Sequence, residues 1–254
     1  MRLISAEVLK LVRRRGLMIW SLLLTVGAVL IAEIIIIALH AANPDHHGPA
    51  GGRTNLENYT FLLAGLGNVA AILIGATAGT QDVSNGVFRD LVVTGRPRAT
   101  LFRVRVPGAL LVFLPMLALG FALAIGVAYG FAGDDFTSNA APSGSYVLHS
   151  IAYAVATTVI DVIIAVGLAA FTSSRVVVGV LIAWNAIVSH LLLAIGALGS
   201  ARKLIDVAAA EHFSPAINDN NQVAMAGTTA LLVLIGWAAV WMAAGRWWTQ
   251  RTDA

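Results

Sequence analysis

The sequence predicts an all-α, polytopic membrane protein with six transmembrane helices, and three observations predict it. Six apolar runs long enough to cross a bilayer recur along 254 residues. Charged residues make up 11% of the chain, against roughly a quarter in soluble proteins, and mean hydropathy is +0.83. The basic residues fall in alternate connectors: Arg2, Lys10, Arg13, Arg14, Arg15, Arg89, Arg96, Arg98, Arg103, Arg105, Arg175, Arg246 and Arg251 lie on one side. Arg53, Arg202 and Lys203 lie on the other, so 13 of 16 mark the cytoplasmic face and put both termini there.

Residues 1–16 form an amphipathic interfacial helix, with Ile4, Val8, Leu11 and Val12 on one face and Arg2, Glu7, Lys10, Arg13 and Arg14 mostly on the other. The spans follow at about 17–39, 59–79, 107–131, 146–171, 176–198 and 223–245, in a single transmembrane domain. The first is too long for the apolar region of a secretory signal and no small-x-small site follows it, so it is expected to stay as an anchor. In the second, Ala64, Gly67, Ala71, Gly75 and Gly79 make a small-residue stripe that lets another helix approach closely. The third carries Pro115, which removes a backbone hydrogen bond and kinks a helix unless neighbours compensate. Between spans 5 and 6, Ser200 reads as an N-cap. It opens a short external helix with Leu204, Ile205, Ala208 and Ala209 on its apolar face and Arg202, Lys203, Asp206 and Glu211 on its polar face.

Polar residues inside the spans are the candidates for a substrate pathway, because a carboxylate at the centre of a bilayer costs about 2.5–3.5 kcal/mol. Glu33 interrupts span 1, Asp161 lies near the middle of span 4, and span 5 carries Asn185 and His190. Asp161 is expected to be protonated, bonded to neighbours such as Thr157 or Thr158, or open to a wet cavity. A purely structural role stays open for both carboxyls.

Several chemistries have no motif here. Neither lysine, Lys10 or Lys203, sits in a phosphate-cradling G-x-x-x-x-G-K-[ST] loop, so the chain is not expected to hydrolyse nucleotide. His40, Asp45, His46 and His47 fit no metal-ligand spacing, and Glu211-His212 lacks a second histidine at zinc-protease distance. Ser189 and His190 are adjacent on a helix and point about 100° apart, which excludes a nucleophile–base pair. With no cysteine there is no disulfide or thiolate. The pI near 9.7 comes from arginines flanking the spans, so the partner is the bilayer and not nucleic acid.

The connector from Gly79 to Pro107, GTQDVSNGVFRDLVVTGRPRATLFRVRVP, is the most patterned polar stretch. Val87, Leu91 and Val92 form an apolar ridge on a short surface helix that the Gly95-Arg96-Pro97 break ends. Acidic residue, Gly, bulky residue, Arg, aliphatics, then Pro and Arg: this order resembles the first cytoplasmic loop of the ABC transporter type-2 permease family. The chain has Gln81-Asp82 where that family usually has Glu, and Arg103 or Arg105 where it often has Lys. The resemblance implies a coupling helix seated on a separate ATP-binding subunit, with Asp82, Gly86, Arg89, Asp90, Pro97 and Arg98 at the matching positions. It implies a second, smaller contact at Ser173, Ser174 and Arg175. It also implies two paired permease subunits in the cell membrane, with ATP and Mg bound by the partner and no cofactor in this chain. The family mostly exports. A proton- or ion-coupled secondary transporter using Glu33 and Asp161 is the alternative, and a non-transporting immunity or sensor subunit is a third reading.

Overall fold

The computed structural model describes residues 2–44, 46–84, 93, 95, 97–133, 140–215 and 223–251. These are mainly helical, with no strand among them. A short helix, α1 (Arg2–Val12), precedes α2 (Arg15–Ala42), α3 (Arg53–Ser84), α4 (Arg98–Gly130), α5 (Gly144–Leu168) and α6 (Ser174–Ala194). Then come a short helix, α7 (Asp206–Glu211), and α8 (Gly227–Arg251). The six long helices, α2 to α6 and α8, are each long and apolar enough to cross a membrane.

α3 is the axis of the bundle: 61% of its apolar window is buried, against 17% for α2 and α6 and 11% for α8. It packs along α5 and α4, α8 lies across α5, and α1 lies on the start of α4. The small-residue stripe explains the centrality of α3. A Cβ at Gly75 would stand 2.8 Å from the Val162 carbonyl oxygen, and one at Gly79 would overlap the Ala169 Cβ, so these two positions are spent on α5, while Gly67 faces Thr25 of α2 and Leu117 of α4. The outward faces of α2, α6 and α8 carry Ile31, Ile34, Val180, Leu191, Leu232 and Val240, all exposed. Side chains of this kind are at home in hydrocarbon.

Two boundaries differ from expectation. α3 starts at Arg53, not near Tyr59, because Gly52 turns the chain at φ 89 and the amides of Gly51, Gly52 and Arg53 bond to the carbonyls of Phe131, Ala128 and Ala140. Asn55 then reaches back to the Pro49 and Gly51 carbonyls, and residues 53–58 of the expected loop are ordered helix. Ser200 caps nothing: Gly199 has left helical geometry at φ 50 and ψ −125, inside a 3-10 segment Gly196–Leu204, and the helix proper begins at Asp206. Asp206 does not join the exposed polar face either. It is 1% exposed, because α7 folds back against α5 and α8. Through Pro115, α4 runs without a break from Arg105 to Gly130.

Candidate functional site

Two polar clusters interrupt the apolar bundle. The first lies where α1, the end of α3 and the start of α4 meet. Glu7 is buried against α4, where Gly108 leaves room; a Cβ there would stand 2.6 Å from the Glu7 Cβ. The Lys10 Nζ donates to Glu7 Oε1 at 2.6 Å and to Asp82 Oδ1 at 2.7 Å. The Arg105 guanidinium, 1% exposed, donates to the Gly79 carbonyl at 2.9 Å and lies 3.8 Å from Asp82 Oδ2. Arg105 was expected in the basic connector and Glu7 on the polar face of an interfacial helix. Both are interior, because each meets an opposite charge across the helix junction and a buried charge persists only when paired. Burial pushes the Glu7 carboxyl up from its ordinary value, with Lys10 opposing. Burial also works to lower the Lys10 ammonium, but its bonds to Asp82 and Glu7 outweigh that and hold it above its ordinary value.

This junction begins and ends the connector. Asp82 anchors its start, Pro97 sits at the N-cap position of α4 with φ −60 and ψ 130, and Arg98 opens the helix, half-buried. Gly86, Arg89 and Asp90, with Val87, Leu91, Val92 and Arg96, lie outside the described residues, so the surface helix expected there does too. At the same end of the bundle, Ser173 occupies the N-cap position of α6, Ser174 begins the helix, and Arg175 is exposed. The neighbouring Phe171 ring packs on Trp248 of α8 with centroids 5.2 Å apart.

The second cluster is inside the bundle. Asp161 on α5 is 1% exposed, and the Asn185 Nδ2 donates to its Oδ2 at 3.0 Å. Asn68 on α3 approaches the same carboxyl. Thr157 and Thr158 do not: their hydroxyls donate to the carbonyls of Tyr153 and Ala154 one turn back, the ordinary habit of helical threonine. Asn185 reaches Asp161 from a π-turn, Trp184–Val188, which inserts an extra residue and swings the following positions around the helix. Asp161 Oδ1 and Asn68 Oδ1 have no hydrogen-bond partner.

Beside this cluster lies a cavity of about 280 Å³ between α3, α5, α6 and α7, bordered by Phe61, Asn68, Tyr153, Asn185, His190 and Glu211. Phe61 and Tyr153 meet edge-to-face, with centroids 5.8 Å apart. Under the cavity floor the Trp184 indole donates to Asp206 Oδ1 at 2.9 Å, and the Val207 amide donates to the same oxygen at 3.0 Å. Burial raises the Asp206 carboxyl, with Trp184 opposing, and burial raises Glu211, with His190 opposing.

Of the four expected pathway residues, the structure thus brings Asp161, Asn185 and His190 to one place. Glu33 stands apart on α2. It is buried, its Oε1 has no partner, and Tyr59 is the neighbour within electrostatic range. Asn68, Asp206 and Glu211 complete the cluster and were not singled out for it. An asparagine in the apolar run GLGNVAAIL was the available signal for the first. Among the described residues no three His, Asp or Glu side chains converge as metal ligands; His40 instead bonds to the His47 carbonyl at 2.7 Å. No family model matches the chain, and no curated protein matches its sequence.

Proposed function

We propose that this chain is the passive membrane subunit of a type-2 ABC transporter, an exporter moved by separate ATP-binding subunits and paired with a second permease subunit. The observation that carries this reading is the Lys10–Asp82 bond with Arg105 beside it. A surface helix riding on the connector would transmit force only if the connector's ends were tied to the bundle. The buried charges tie both ends, and α1 with them, to the central helix α3. Arg98 and the Ser173–Arg175 turn share that end, so an ATP-binding subunit would find two contacts side by side. In this reading the basic end faces the cytoplasm, nucleotide closure pushes the connector, and the junction passes the push into α3 and α4.

The secondary-transporter reading needs Glu33 and Asp161 to serve one pathway. Glu33 borders no part of the cavity beside Asp161, which favours the first reading. The test is charge reversal at Arg89 and Arg98 together. It should abolish the stimulation of the partner's ATP hydrolysis while leaving membrane insertion intact. Full stimulation in that variant would remove the connector from the mechanism.

A further inference from the structure

The cavity between α3, α5, α6 and α7 has more acidic groups about it than basic ones, His190 being the one basic side chain on its border. Its walls are apolar except for the amides of Asn68 and Asn185, the hydroxyls of Tyr153 and Thr157, the imidazole of His190 and the carboxyl of Glu211. Asp161 stands behind the two amides and Asp206 beneath, each 1% exposed. No Lys or Arg borders the space. Of the two nearest in sequence, Lys203 lies off its border and Arg202 spends its guanidinium on the carbonyls of Gly199 and Leu193. Three carboxyl groups around a low-dielectric space concentrate a field that draws cations.

Unpaired acceptors beside the cavity point the same way. Asn68 is 6% exposed and its Oδ1 has no partner, nor has Asp161 Oδ1. A buried acceptor left unpaired is costly, so Asn68, which borders the cavity, favours an arriving N–H donor. The terminal torsion of asparagine is soft, and a small rotation presents that oxygen to the cavity. On the far wall the Phe61–Tyr153 pair offers ring faces and edges suited to a cation with an apolar body.

We infer that this cavity binds a small organic ammonium ion, its N–H donors toward Asn68 and Glu211 and its apolar body along Phe61 and Tyr153. The site is complete within one chain, and it stands whether or not nucleotide hydrolysis drives that chain, so its failure and the failure of the permease reading are separate results.

The test uses the full-length protein in phosphatidylcholine nanodiscs and radiolabelled 4-phenylbutylamine, with neutral 4-phenylbutanol as its isostere. The amine is expected to bind saturably and the alcohol only to partition into lipid. Glu211→Gln should weaken the amine at least tenfold. Gly65→Leu should abolish binding without disturbing the fold, because Gly65 borders the cavity and a Cβ there meets nothing within 4 Å. Adding phosphatidylethanolamine separates two sources of the same group: displacement of the probe assigns the site to an aminolipid headgroup, and no displacement assigns it to free amines. Equal behaviour of amine and alcohol, or amine binding indifferent to both substitutions, would overturn the inference.

Discussion

Lys10 of α1 donates to Asp82 of α3 across 2.7 Å, between residues 72 positions apart in the chain. The same ammonium holds Glu7 one turn back, so one cation serves two buried carboxylates at the helix junction. Lys10→Met strands Glu7 and leaves Asp82 to Arg105 alone, and with the lysine side chain 29% exposed the loss should be about 2–3 kcal/mol, below that of a fully buried pair. Thermal unfolding in detergent checks it. The double variant Lys10→Met/Asp82→Asn should lose clearly less than the two single losses added together, since neither substitution then strands the other's partner. Strict additivity would show that the two side chains do not act on each other.

Two glycines of α3 should respond in opposite directions. Gly79→Ala forces a methyl against Ala169, and overpacking of this kind costs about 1–3 kcal/mol, more than the helix gains from alanine. Gly65→Ala meets open space and should stabilise by about 0.5–1 kcal/mol through helix propensity alone. Equal thermal midpoints for the two variants would contradict the close crossing of α3 and α5.

Stability should fall as pH rises from mild acid. Burial raises Glu211 above its ordinary value of 4.5, with His190 opposing, so the folded protein holds that proton more tightly than the unfolded chain does. The contribution is therefore full below pH 4.5 and is lost as pH rises through the folded value. Asp206, raised by burial from 3.8, acts in the same sense from the floor of the cavity. Replacing both, Glu211→Gln with Asp206→Asn, should flatten the thermal midpoint between pH 4.5 and 7 relative to the parent. An unchanged slope would mean that these carboxyls titrate alike folded and unfolded.

The six long helices were legible in the sequence because lipid-facing and core residues alike must be apolar, and a run of about 20 such residues advertises itself. Asp161, Asn185 and His190 were legible as oddities within those runs. Their meeting was not, because the Asn185–Asp161 bond joins positions 24 apart and depends on a π-turn that no periodicity in WNAIV announces. Arg105 misled for a related reason. An arginine at the edge of a basic connector looks solvated until its partner, Asp82 on another helix, is seen beside it. Asp206 misled because a six-residue helix has too few positions to reveal which face turns inward.

The measurement that bears most directly on the chain's role compares proteoliposomes holding this chain alone with proteoliposomes holding it together with the ATP-binding subunit proposed to drive it, each given ATP inside or outside. Solute should move in the second preparation, with ATP on the side of the basic connector and not with an ATPase-dead partner. Solute movement by the chain alone, driven by an ion gradient, would contradict the account.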